Sequence, residues 1–211
     1  MLNCSTVLVV SPHTDDGELG CGGTITRMIE EGKELYYVAF SICEDSVPEG
    51  FPKNILEVEV KKATATLGIK LENLIIKKYR VRTFPDVRQN ILEDLVQLRE
   101  QLKPDLVFMP SLHALHQDHK TTAEEGLRAF KRASCFGYDF PHDMIQFNNT
   151  AFIILEKHHI QKKIEALNCY ESQRSRKYVD DRFLEGLARV RGCQIHEEFA
   201  EAFEVMRLVC K

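Results

Sequence analysis

Two short apolar runs, Val7-Leu8-Val9-Val10 and Leu106-Val107-Phe108-Met109, constrain this chain more than anything else in it. Each is rich in β-branched or aromatic residues and reads as a buried strand. Each ends at a step containing serine and proline, which halts a strand ladder and turns the chain. Each then enters a cluster of histidine and aspartate: His13-Thr14-Asp15-Asp16 after the first, His113-Ala114-Leu115-His116-Gln117-Asp118-His119 after the second. In a parallel sheet the carboxyl ends of the strands lie on one edge, where open α/β folds hold their ligands. The two clusters, about a hundred residues apart in sequence, would then emerge where they can converge.

The residues around these runs alternate in the same sense. Ile25, Met28 and Ile29 recur at helical spacing before Gly32, and Leu35 to Phe40 reads as a strand. Leu56, Val60, Ala63 and Leu67 mark a helix stopped by Gly68, followed by a short strand from Leu74 to Ile76. Ile91, Leu95, Leu98 and Leu102 mark a further helix, closed by Pro104. The glycines from Gly17 to Gly23 are placed to bend the backbone into the first helix. Thr121 or Thr122 is placed to cap the helix after the second cluster, with Ala123, Leu127 and Phe130 on its buried face. Phe136 to His142 reads as an aromatic-rich loop able to wall a sugar ring, Ala151 to Leu155 as a strand, and 160–170 and 182–191 as helices. The alternation predicts an α/β fold: a single Rossmann-like domain over residues 1–211, with a doubly wound, mostly parallel sheet and helices on both faces.

Converging at one sheet edge, His13, Asp16 and His119 can offer two imidazole nitrogens and one carboxylate oxygen to a single Zn²⁺. Three protein ligands with a fourth position left to water are the mark of a catalytic zinc site. The same set accepts Fe²⁺ and other divalent ions. Asp15, next to a ligand but aimed elsewhere, is free to act as a base. Arg80, Arg82 and Arg88 lie near Tyr79 and Phe84, and their guanidiniums can clamp a phosphate or hydroxyl-rich ligand or remain as surface charges. The loop from Ser41 to Pro52 leaves the same sheet edge, and the basic run Ser172 to Tyr178 reads as a solvated turn or a partner for an anionic group.

Composition removes other classes. A net charge of −4 argues against a nucleic-acid binder. No apolar run approaches the length of a membrane span, and the first ten residues lack the basic start and long apolar core of a signal peptide. A cytoplasmic location is the expectation. Seven scattered cysteines include no CxxC pair, so they read as reduced, mostly buried small hydrophobes rather than a zinc knuckle or redox pair.

The paired motifs Pro12-His13-Thr14-Asp15-Asp16-Gly17-Glu18 and His116-Gln117-Asp118-His119 resemble the PIG-L/LmbE superfamily of zinc-dependent N-deacetylases, whose usual forms are His-Pro-Asp-Asp and His-x-Asp-His. The helix end Glu59-x-x-x-Ala63-x-x-x-Leu67-Gly68, the strand entry Lys103 to Val107 and the closing segment Ala200 to Glu204 extend the likeness over most of the chain. The resemblance implies a hydrolase that removes the acetyl group from a small N-acetylated sugar or sugar conjugate. It places His13, Asp16 and His119 on the metal, Asp15 as general base, His116 towards the leaving group and Asp118 beside the histidines. Relatives of this kind often form trimers or hexamers. Two departures stand out. Thr14 replaces the usual proline, and Leu56 stands where an arginine is common, so Arg80, Arg82 or Arg88 is the expected substrate anchor. An amidase acting on another acyl or thiol conjugate, or a zinc- or sugar-binding module without turnover, are the alternatives.

Overall fold

The computed structural model describes residues 4–210; Leu2 and Asn3, the lead into the first strand, lie outside the described residues. Seven strands form one sheet: β1 (Thr6–Ser11), β2 (Glu34–Ala39), β3 (Leu74–Ile76), β4 (Leu106–Pro110), β5 (Ser134–Tyr138), β6 (Ala151–Leu155) and β7 (Phe199–Arg207). Their spatial order is β3-β2-β1-β4-β5-β7-β6. The five strands from β3 to β5 run parallel, and β7 is antiparallel to both its neighbours. The helices are α1 (Asp16–Glu30), α2 (Ile55–Thr66), α3 (Arg88–Leu102), α4 (Gln117–Ala129), α5 (Lys157–Leu167) and α6 (Asp181–Cys193).

Alternation along β1 assigns the two faces. Val7 and Val9 join a core with residues of α1, α2, α5 and α6, while Leu8 and Val10 join a second core with α3 and α4. A strand covered on both faces has no need of polar alternation, which is why β1 reads as an unbroken apolar run. From β1 the chain moves outward to β2 and β3, then returns to lay β4 on the other side of β1. That reversal opens a crevice at the carboxyl ends of β1 and β4.

Three local expectations are corrected. Phe136 to Tyr138 is not loop but part of β5, buried between β4 and β7. Phe136 packs against Phe108 and Phe203 inside the core rather than facing a ligand. The expected threonine cap is also displaced: α4 starts at Gln117, and His116 is its N-cap, with the imidazole Nδ1 accepting the Asp118 N–H at 3.1 Å. The histidine cluster therefore opens the helix instead of preceding it.

The glycines after the first motif lie inside α1, where they serve close packing. A Cβ on Gly17 would collide with the Tyr37 ring, and one on Gly20 would fall 2.5 Å from Cγ of Tyr138. The helix breaks at Cys21, whose φ and ψ of −149° and 26° are non-helical. The break frees backbone donors, and the Glu201 carboxylate of β7 takes the Gly23 and Thr24 N–H groups at 3.1 and 2.7 Å. Lys163 of α5 completes this buried cluster, 2.7 Å from Glu201. Burial pushes the Cys21 thiol well up, so it is packing and not a nucleophile.

Candidate metal centre

The loop after β1 is held by its own end. Ser11 donates its hydroxyl to the His13 carbonyl at 2.6 Å and accepts the Gly17 N–H at 2.9 Å. Tyr37 and Tyr170 bring their hydroxyls within 2.9 and 2.7 Å of the Thr14 carbonyl, and both reach the buried Glu18 carboxyl, which burial pushes up to about 8. Asp16 opens α1 and folds back to accept the His13 N–H at 2.8 Å. From the other motif, His119 projects from the first turn of α4.

These elements bring three atoms together. His13 Nδ1 lies 3.2 Å from Asp16 Oδ2, His119 Nε2 lies 3.1 Å from the same oxygen, and the two nitrogens are 3.1 Å apart. A tetrahedral ion with ligand bonds of about 2.0–2.1 Å sets its ligand atoms about 3.3 Å apart. The residues present therefore fit a divalent cation. Their outer contacts fix the tautomers that such an ion needs. His13 Nε2 faces the Asp118 carboxylate at 3.0 Å, and His119 Nδ1 faces the Asp143 carboxylate at 2.7 Å. Each of those nitrogens carries a hydrogen to donate, which leaves His13 Nδ1 and His119 Nε2 as lone pairs. Two lone pairs and a carboxylate oxygen this close repel one another unless a cation or protons lie between them.

His116 is near both His13 and His119, with ring centroids 4.9 and 4.8 Å away, yet it differs in kind. Its Nδ1 accepts a backbone N–H, so the hydrogen of the neutral ring sits on Nε2. Burial, with the neighbouring His13 and His119 adding to it, holds its pKa below the usual imidazole value. His116 belongs with His13 and His119 to a cluster whose ligand atoms lie within 4.8 Å of one another, but its Nε2 is placed to donate. The same reasoning rejects a second cluster, Glu30 with His158 and His159. There His159 Nδ1 accepts the Glu156 N–H at 2.9 Å, so its Nε2–H donates to Glu30 at 2.9 Å and has no lone pair for an ion.

A cavity of about 400 Å³ opens beside the three atoms, with Asp15, Arg82, His116, Arg176 and Tyr178 among its walls. The Asp15 carboxylate has no side-chain partner among the described residues. Burial raises its pKa and Asp16 adds to this, against the pull of Arg176 and His13. Asp16 goes the other way: burial would raise it, but His119 and His13 hold it well below the usual carboxylate range.

Arg82 alone of the three arginines singled out in the sequence reaches this cavity. Arg80 is drawn to Asp45 at 2.7 Å on the surface, and Arg88 is engaged by Glu125 and by Glu124 at 3.4 Å. Asp118 is fully buried and is not among the residues lining this cavity. Besides His13 it accepts the Arg82 N–H at 2.6 Å and the Phe84 N–H at 3.2 Å. Those bonds hold Arg82 in the left-handed region, at φ 69°, a strain that persists only where surroundings enforce it. Leu56 lines the cavity as an apolar wall.

Asp143 escapes sequence reasoning altogether. It follows the carboxyl end of β5, the next strand along from β4, and the reading of Phe136 to His142 as loop hid that position. Its two oxygens serve different donors: Oδ2 takes His119 Nδ1–H, and Oδ1 takes the His116 N–H at 3.0 Å. His142 also reaches the cavity, stacked on Tyr178 with ring centroids 3.9 Å apart and planes at 8°.

Comparison with known proteins bears on this arrangement. Residues 8–130 match the family model of the GlcNAc-PI de-N-acetylases. The probable N-acetyl-alpha-D-glucosaminyl L-malate deacetylase 2 of Bacillus anthracis is 31% identical over 198 residues, with 85% of this chain and 86% of that protein covered. Among solved structures, a conserved protein of Thermus thermophilus superposes with a TM-score of 0.82 at 25% identity, over 97% of this chain and 96% of that one. The N,N'-diacetylchitobiose deacetylase of Pyrococcus horikoshii gives a TM-score of 0.81 at 21% identity, over 97% of this chain and 84% of that one, a likeness of fold.

Proposed function

The chain belongs to the GlcNAc-PI de-N-acetylase (PIG-L) family, and on that premise we propose that it is a metal-dependent N-deacetylase that hydrolyses the acetyl amide of a small N-acetylated sugar conjugate. The observation that carries this reading is the meeting of His13 Nδ1, Asp16 Oδ2 and His119 Nε2 at 3.1–3.2 Å on the wall of a cavity that also holds Asp15. Zinc is the ion this donor set favours, with Fe²⁺ the main competitor. When bound, the ion polarises the amide carbonyl and lowers the pKa of water to about 7.

The chain's own residues supply the rest. Asp15 takes a proton from the attacking water as the water oxygen bonds to the acetyl carbon; its raised pKa brings it closer to the working range of a general base. His116 donates Nε2–H towards the oxygen on which negative charge develops, and its backbone-anchored Nδ1 keeps the ring aimed without reorganisation. As the C–N bond breaks, the proton held on the Asp15 carboxyl passes to the departing amine nitrogen, leaving acetate and a free amino sugar. Asp118 and Asp143 hold the two ligand imidazoles in the required tautomers. The alternative of a non-catalytic binding module has no use for a carboxylate without a side-chain partner beside the ligands.

Elemental analysis of protein purified without chelators, paired with an acetate-release assay on N-acetylated sugars, tests this reading. Wild type is expected to hold about one divalent ion and release acetate, and His119→Ala to lose the ion. Asp15→Asn is expected to keep the ion while turnover falls by about 10²–10⁴. A panel of longer acyl chains on the same sugar tests the choice of acetyl. Wild type that stays metal-free after incubation with zinc overturns the proposal.

A further inference from the structure

Glu59 is a buried carboxylate that the metal centre does not use. It lies on α2 one turn beyond Leu56, the apolar wall of the cavity, and is 2% exposed. Its donors come from Ser172, in the short helical turn Glu171–Gln173: the Ser172 N–H reaches Oε1 at 3.0 Å, and the Ser172 hydroxyl reaches Oε2 at 2.6 Å. An ionised carboxylate only accepts, so the single hydroxyl hydrogen of Ser172 is committed to Glu59 and its oxygen is left to accept. The donor it finds is Gln173, whose Nε2 lies 3.0 Å from Ser172 Oγ. This sequence of bonds fixes which way the Gln173 amide faces, with the nitrogen towards Ser172 and Oε1 turned away.

Gln173 is itself 2% exposed and borders the metal cavity. Among the described residues, the buried side-chain polar atoms without a partner are Thr24 Oγ1 and Asn149 Oδ1. Gln173 Oε1 accepts no hydrogen bond from a described residue and is not one of them, so it is the part of the amide that meets open space. The open space it meets is the cavity. The backbone here is tied on both sides. The Tyr170 hydroxyl lies 2.7 Å from the Thr14 carbonyl, and the Gln173 carbonyl accepts the Arg176 N–H at 3.0 Å. An acceptor held this firmly in a cavity wall reads the hydrogen-bond polarity of whatever enters.

We infer that Gln173 determines specificity, its Oε1 accepting a hydrogen bond from one ring hydroxyl of the sugar, and that Glu59 and Ser172, neither of which borders the cavity, are positioning residues that set the direction of its amide. The inference rests on the N-deacetylase reading and adds the polarity that the site reads. A hydroxyl satisfies Oε1, whereas a group of the same size without a hydrogen leaves it desolvated and unpaired. The relay has a consequence that packing alone does not. In Glu59→Gln the amide oxygen stays with the Ser172 N–H, so the new NH₂ faces Ser172 Oγ. The Ser172 hydrogen is then released towards Gln173, whose amide turns to present NH₂ to the cavity.

Calorimetry on the zinc-loaded protein reads this with methyl glucosaminide and its 3-, 4- and 6-deoxyfluoro analogues, in which fluorine takes the place of a hydroxyl but has no hydrogen to donate. In wild type one of the three analogues is expected to bind at least about tenfold more weakly than the parent sugar. In Gln173→Met the parent falls to the level of that analogue, and the two agree within about twofold. In Glu59→Gln the gap closes to about threefold or less while the parent stays within about threefold of its wild-type affinity. Ser172→Ala leaves Glu59 in place but removes the oxygen that orients the amide. It is expected to narrow the gap as well, which keeps the relay testable if Glu59→Gln does not fold. Equal binding of the parent and all three analogues overturns the inference, as does a gap that survives Gln173→Met. A full gap in Glu59→Gln or in Ser172→Ala overturns the roles of Glu59 and Ser172. Acetate release from methyl N-acetylglucosaminide is measured in parallel. Release without hydroxyl preference defeats the inference alone, and hydroxyl preference without release defeats the deacetylase reading alone.

Discussion

Replacing Asp143 by asparagine keeps size and shape and changes one thing, the number of acceptor oxygens. In the native protein Oδ2 receives His119 Nδ1–H at 2.7 Å and Oδ1 receives the His116 N–H at 3.0 Å. An amide has one oxygen for these two donors. If that oxygen stays with the His116 backbone, the amide NH₂ faces His119 Nδ1 and forces the ring to the opposite tautomer, with a hydrogen on the nitrogen meant for the metal. If the amide flips, its NH₂ confronts the His116 N–H and the α4 N-terminus is disturbed. Neither arrangement satisfies both contacts. Loss of such a ligand-orienting carboxylate costs about 10–100-fold in metal affinity, or about 1.4–2.7 kcal/mol. Titration of the chelator-stripped protein with zinc against a competing indicator reads this directly. A dissociation constant within about twofold of wild type would refute both the tautomer assignment and the ligand set built on it.

In chelator-stripped protein burial pushes the His119 imidazole down, but Asp16 and Asp143 outweigh it and hold it up at about 10, and His13 is raised as well. The incoming ion must then displace protons, so zinc affinity is expected to climb about tenfold per pH unit for each proton displaced between about pH 6 and 8; a flat profile contradicts this. Glu201→Ala strips Lys163 of its buried partner and the Gly23 and Thr24 N–H groups of their acceptor, so denaturant unfolding is expected to show a loss of about 3–5 kcal/mol. Gly20→Ala drives a methyl into the Tyr138 ring and is expected to cost about 1–3 kcal/mol by the same assay, with no loss meaning that the ring can yield. Arg80→Ala, which removes only a solvated pair with Asp45, leaves melting temperature and kcat/KM unchanged; a raised KM would return Arg80 to the substrate site.

What the sequence displayed and what it concealed divide along physical lines. The central strands were legible because a strand covered on both faces has to be apolar throughout, as Val7 to Val10 and Leu106 to Met109 are. His13, Asp16 and His119 were legible because each belongs to a short motif whose spacing is local. Asp143 was not, because its importance comes from a neighbour 24 positions away and its flanking sequence carries no spacing signal. Arg82 could not be separated from Arg80 and Arg88 by composition; a backbone bond to Asp118 decides between them. The helix start at Gln117 was missed because a histidine caps it, an acceptor that the usual Ser, Thr, Asp or Asn preference does not anticipate. The glycines of α1 looked like a bend because their real partners, Tyr37 and Tyr138, belong to other strands.

The placement of β4 beside β1 sets the order of events in the life of a newly made chain. His13 and Asp16 leave the ribosome first, and His119 follows 106 residues after His13, about 5–20 seconds later at ordinary rates of synthesis. Throughout that interval the nascent chain offers only two of the three proposed donors, a set expected to hold an ion weakly. The third proposed ligand, His119, lies in the first turn of α4, just beyond the strand β4 that pairs with β1. On the proposed ligand set, metal capture is expected to be a late step, after the two halves of the sheet have joined. A ribosome-bound chain arrested before residue 119 is then expected to escape tight loading with whichever ion is most abundant nearby, which leaves selection among ions to the finished fold.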